Sequence, residues 1–101
     1  MEFEWDARKS EQNLQERGFD FEIASAIFNN PVLVKEDTRK DYGERRFIAI
    51  GQVGGILFTI AFTRRAGYDG EKVCRIISAR QSNKKERGFY EKNIKKEKLS
   101  S

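Results

Sequence analysis

The sequence contains no histidine, and that absence removes a large part of hydrolytic chemistry at once. Neither a Ser-His-Asp nor a Cys-His nucleophile system can be assembled, and histidine-based metal sites are excluded. A single cysteine, Cys74, rules out an intramolecular disulfide. It falls in the apolar-alternating run before Arg80 and reads as a small core or sheet-face residue, because no histidine is present to activate its thiol. There are no repeats, low-complexity stretches or linkers, so residues 1–101 read as one domain. The longest apolar run, Ile56 to Phe62, is far too short to span a bilayer. The opening MEFEWDAR has no apolar signal segment, and together with the missing disulfide framework this favours the cytoplasm. No Gly-x-Gly-x-x-Gly or P-loop pattern occurs, and the carboxylates are not grouped at metal-ligand spacing. Neither a cofactor nor a metal is expected.

What the chain has in abundance is charge, unevenly divided. Residues 1–38 carry four basic and nine acidic side chains, whereas residues 39–101 carry sixteen basic and seven acidic ones. Such a molecule presents a cationic face to a polyanion, although a basic surface also serves solubility. Arg45, Arg46, Arg65, Arg75 and Arg80 sit in or beside strand-like segments rather than in a tail. Arginine on a rigid element is the better phosphate clamp, which tilts the reading towards nucleic acid.

The hydrophobic pattern predicts an α+β domain. Phe3-Glu4-Trp5 alternates like a short strand, and Asp6 reads as the N-cap of a helix ending near Gly18, with Ala7 and Leu14 as its main anchors. Asp20 caps a second helix in which Ile23, Ala24, Ile27 and Phe28 have helical spacing, and Asn29-Asn30-Pro31 ends it. The period then changes to two. Val32-Leu33-Val34, Arg45–Val53, Ile56–Thr63 and Val73–Ala79 read as an antiparallel meander. Gly54-Gly55 is a two-residue hairpin signal, and Ala66–Gly70 forms a second turn. A final helix begins near Ser82 or Asn83 and runs into Lys95-Lys96-Glu97-Lys98.

The segment from Arg75 to Lys95 concentrates the chemistry. A strand delivers Arg80 at its end and hands over to a helix bearing Lys84, Lys85, Glu86, Arg87, Tyr90 and Glu91. Arginines, lysines, a carboxylate and a phenol suit cleavage of RNA, whose own 2′-hydroxyl is the nucleophile. The enzyme then has to align that group, move protons and stabilise the charged phosphorane. Each residue also has a structural reading. Tyr90 falls one turn before Ile94 and can pack on the sheet, Glu86 can pair with Arg87 or a lysine, and Arg75 can pair across the sheet. Lys92, Lys95, Lys96 and Lys98 read as a solvated helix end, favourable to the helix dipole.

The chain resembles the BrnT family of bacterial toxins, within the RelE-like group of type II toxin–antitoxin ribonucleases. Phe3-Glu4-Trp5-Asp6, Lys9, Asn13 and Gly18 are similar to the family's opening strand and helix. Phe21-Glu22, Ala24, Phe28 and Pro31 follow its second helix, and Glu44-Arg45, Gly51, Thr63 and Arg65 its strands. Arg75-Ile76-Ile77-Ser78-Ala79-Arg80 with Glu86, Arg87, Tyr90 and Glu91 reproduces its most distinctive segment. The resemblance implies a RelE-like fold and a cytoplasmic toxin that cleaves RNA without a metal and blocks translation. It also implies a small BrnA-like, DNA-binding antitoxin, in a dimeric or heterotetrameric complex. The family commonly has Lys-His before the glycine closing the first helix, where this chain has Glu16-Arg17-Gly18.

The expectation is therefore an endoribonuclease in which Arg65 and Arg80 hold the scissile phosphate. Lys84, Lys85, Arg87, Arg45 and Arg64 contact the rest of the RNA, and Glu44 or Tyr90 transfers the proton. The competing readings are a non-catalytic RNA- or ribosome-binding module and a protein-interaction subunit.

Overall fold

Alternating and helical segments assemble into one five-stranded sheet with helices on both faces. The computed structural model describes residues 2–100, and side chains as far as Ile94; the side chains of Lys95, Lys96 and Lys98 lie outside the described residues. In chain order the elements are β1 (Glu2–Trp5), α1 (Ala7–Arg17), α2 (Phe21–Ser25), a 3₁₀ turn (Ala26–Asn29), β2 (Val32–Glu36), β3 (Phe47–Val53), β4 (Ile56–Ala66), β5 (Lys72–Gln81) and α3 (Lys84–Ser100). The α+β class matches the sequence reading, and the sheet order β1-β5-β4-β3-β2 puts β4 at the centre.

Local chemistry explains most of the boundaries. The Asp6 carboxylate accepts from Arg8 N at 2.8 Å and Lys9 N at 3.2 Å, and Asp20 accepts from Ile23 N at 2.8 Å. These side chains satisfy helix-start donors that have no intrahelical partner. Gly54 and Gly55 both have positive φ, +57° and +85°, as a two-residue hairpin of the tight, mirror-image kind requires. At Gly51 the sheet and the 3₁₀ turn approach so closely that an added Cβ would lie 2.9 Å from Ile27 Cβ.

One face of the sheet carries the main core. Phe19, Phe21, Ala24 and Ile27 pack on Phe47, Ala49, Phe58, Ile60, Phe62, Cys74 and Ile76. Each fully buried large side chain contributes about 1.5–3 kcal/mol. Among the described residues the opposite face is covered on one side only. There α3 lies over β2 and β3, with Tyr90 against Leu33 and Ile50.

Three features depart from the expectation. β1 adds to the sheet edge parallel to β5, Glu2 opposite Val73 and Trp5 opposite Ile76, so the sheet is mixed rather than wholly antiparallel. The second helix tightens to 3₁₀ geometry after Ser25. Leu14 and Ala7 do not anchor α1, since both are exposed. The helix is instead tied down by polar contacts: the buried Ser10 Oγ accepts from Phe21 N at 3.0 Å, and Asn13 Nδ2 donates to Phe19 O at 2.9 Å.

Candidate active site

Arg80 is placed by the way β5 turns into α3. Ser82 leaves the strand with its backbone N–H on Leu57 O, 2.9 Å, and its buried hydroxyl 2.8 Å from that of Thr59. Asn83 then caps the helix. Its Oδ1 accepts from Glu86 N at 2.8 Å while Glu86 Oε1 accepts from Asn83 N at 2.9 Å, a reciprocal capping box. The same carboxylate receives both prongs of Arg80, Nη1 to Oε1 at 2.6 Å and Nη2 to Oε2 at 2.7 Å. Glu86 therefore starts the helix and aims the guanidinium at once. Arg80, more than the backbone N–H of Asn83, holds the Glu86 carboxyl below the usual carboxylate range.

Beside this pair a cleft of about 440 Å³ opens between the start of α3 and the end of β2. Arg80 and Lys85 flank it on one side and Lys35 and Arg39 on the other, over a floor of Ile48 and Ile50. Arg39 is set by Asp37, whose carboxylate accepts from Arg39 Nε and Nη2 and from the Tyr42 hydroxyl, each at 2.9 Å. The Asp37 side chain is almost inaccessible whereas that of Arg39 is mostly exposed. The Arg39 contacts push the Asp37 carboxyl far below its ordinary value. Asp37 and Glu86, and Glu36 through Arg45, are thus committed to arginines, and the charged groups left to meet a ligand are cationic. Sequence reasoning did not single out Lys35 or Arg39. Pairing of β2 with β3 places Lys35 opposite Ile48, and closure of the loop after β2, which folds Arg39 back on Asp37, brings Arg39 to the same cleft.

The remaining candidates are scattered. Arg65 lies on the same face as Arg80 but at the far end of β4. It sits opposite Val73, while Arg80 sits opposite Thr59. Six steps along the strand amount to about 20 Å, so one phosphate cannot touch both. Arg65 donates from Nε and Nη2 to the two oxygens of Glu4. Tyr90 is buried, donates its hydroxyl to Pro31 O at 2.9 Å, and has its ionisation pushed up by burial. Glu44 lies outside the cleft, 3.6 Å from Arg46. Arg64 and Arg45 are on the opposite face, their guanidiniums 4.5 and 5.3 Å from the centre of the Phe47 ring, and Arg45 also pairs with Glu36. Lys84 is exposed at the first residue of α3. Arg87 is exposed, with Nη1 donating to Ser82 O at 3.0 Å. Arg17, where the resembled family has histidine, donates to Ala79 O at 3.2 Å, one residue before Arg80.

Set beside known proteins, residues 5–86 match the model of a family described as the ribonuclease toxin, BrnT, of type II toxin–antitoxin systems. No curated protein matches the chain.

Proposed function

Because the chain belongs to the BrnT family of ribonuclease toxins of type II toxin–antitoxin systems, we propose that it cleaves RNA in the cleft headed by Arg80. In this reading the reaction needs no metal and its outcome is inhibition of translation. The observation that carries it is the convergence of Arg80, Lys85, Lys35 and Arg39 on one cleft while the nearby carboxylates Glu86 and Asp37 are held by arginines.

The substrate's 2′-hydroxyl gives its proton to Glu86 or to solvent as its oxygen attacks the neighbouring phosphorus, the bond from phosphorus to the 5′-oxygen breaks, and the products are a 2′,3′-cyclic phosphate and a 5′-hydroxyl. Arg80, aimed by Glu86, donates to a non-bridging oxygen of the phosphorane, and Arg39 adds charge from the opposite wall. Such fixed donors are commonly the largest catalytic contribution. Lys85 holds a flanking phosphate and can protonate the departing oxygen. In place of Glu44 and Tyr90, which lie outside the cleft, Glu86 is the carboxylate closest to the scissile position. Its pairing with Arg80 makes it a weak base, so the enzyme accelerates mainly by alignment and electrostatics. Arg65 takes no part in the bond-breaking step.

Type II membership brings an antitoxin partner. We extend this to a small BrnA-like, DNA-binding antitoxin in a dimeric or heterotetrameric complex. Among the described residues no helix is long and apolar enough to cross a membrane, and an RNA target sets the site of action in the cytoplasm.

The commitment of both carboxylates also favours a second reading, in which the same cleft binds RNA or the ribosome without cutting. Labelled RNA incubated with the purified protein in excess EDTA separates the two. Termini carrying 2′,3′-cyclic phosphate support cleavage, and a salt-sensitive mobility shift without new termini supports binding alone.

A further inference from the structure

Three arginines share the face on which α3 stops short. Arg80, Arg75 and Arg65 stand opposite or beside Thr59, Thr63 and Val73 in the β4–β5 ladder, and residues opposite one another in a ladder share a face. Arg75 and Arg80 are five residues apart, an odd spacing that would ordinarily turn them to opposite faces. The ladder slips between Ala61 and Phe62, leaving Ile77 without an opposite number, and this bulge returns Arg80 to the side of Arg75. Four steps along β4 separate the rows of Arg80 and Arg75, about 13 Å, and two more, about 7 Å, lead to Arg65.

The floor between them is low. Ser78 and Ala61 are the facing pair midway, and among the described residues α3 packs on β2 and β3 rather than over this half of the sheet. Glu4, paired in register with Arg75, fixes the Arg65 fork and lies 3.7 Å from Arg75 Nη1, so one carboxylate serves two guanidiniums. Both arginine side chains remain about half exposed, 53% and 47%. An arginine already pinned on a strand loses little freedom when it accepts a phosphate. Glu2, opposite Val73 at the sheet edge, shares the cross-strand row of Arg65 and bounds it on that side with negative charge.

The geometry points to a phosphate-binding strip formed by Arg75 and Arg65, which holds the RNA strand flanking the cleavage point as it leaves the Arg80 cleft along β5. It rests on the reading that Arg80 marks the scissile phosphate, and it gives Arg65 a substrate-holding role in place of a catalytic one. The path from the Arg80 row to Arg65, about 20 Å, takes several nucleotides of extended single strand.

The test measures binding of uncleavable 2′-O-methyl RNA, a trinucleotide and a nonanucleotide, to the wild type and to Arg65→Gln, Arg75→Gln and Arg80→Ala. Arg75→Gln is the variant safest for folding, since its guanidinium makes only the longer contact with Glu4, and thermal midpoints are recorded for all. Arg65→Gln and Arg75→Gln are expected to weaken the nonanucleotide several-fold and lower its salt slope by about one each, leaving the trinucleotide unchanged. Arg80→Ala weakens both lengths. If the folded Arg65 and Arg75 variants bind the nonanucleotide like wild type, or lose both lengths equally, the strip is wrong while the Arg80 cleft stands. If Arg80→Ala binds both lengths like wild type, it is the cleft reading, and with it the strip, that falls.

Discussion

Arg80 and Glu86 meet through two parallel contacts across the turn from β5 to α3, at 2.6 and 2.7 Å, and the same carboxylate caps the helix it belongs to. The shared carboxylate links the direction of the guanidinium to the start of α3. Glu86→Gln is expected to bind RNA at least as tightly as wild type, because a negative charge leaves the cleft. Its cleavage rate constant should fall about ten-fold or more as Arg80 loses its aim. Single-turnover rates beside binding constants give the split, and a fall in affinity with an unchanged rate would contradict it.

Tyr90 is held in the core by Leu33, Ile50 and the Pro31 carbonyl. Tyr90→Phe removes one hydrogen bond and should cost about 0.5–1.5 kcal/mol of stability with cleavage preserved. Denaturant unfolding and a cleavage assay on one preparation check both halves.

Asp37 fixes Arg39, and its carboxyl is depressed in the folded protein chiefly by that arginine. A depressed carboxylate contributes stability above its unfolded value, about 3.9, and that contribution is lost as pH falls towards the folded value. Asp37→Asn should therefore melt below wild type at pH 7, with the gap closing as pH drops under about 4. A gap independent of pH would show that the ion pair contributes no stability.

Cys74 is buried, and burial pushes its thiol up to about 11. Alkylation at pH 8 should be slow in the folded protein and fast in denaturant. Rapid labelling of the native state would contradict the core assignment.

Much of the fold was legible because its signals are local. Asp6 and Asp20 cap as read, and Gly54-Gly55 turns as read. The site was legible only in part because its determinants are not local. Arg80 and Lys85 stand where a strand meets a helix, and the pattern showed it. The Ile77 bulge breaks the alternation by which Arg75 and Arg80 would be assigned faces. Arg65 matches a motif, yet strand register, invisible in a single chain, sets it six steps from Arg80. Arg39 depends on a loop closing over Asp37, and β1 on a pairing with the most distant strand.

The central claim is that Arg80 is the electrostatic centre of a nuclease. Wild type and Arg80→Ala should be compared on labelled RNA in excess EDTA, with thermal unfolding recorded for both. The account predicts 2′,3′-cyclic phosphate termini from wild type and a rate lower by about a hundred-fold or more in the variant. The unfolding midpoint should be nearly unchanged, since a partly exposed ion pair contributes about 1 kcal/mol or less. Cleavage by a folded Arg80→Ala at the wild-type rate would contradict it.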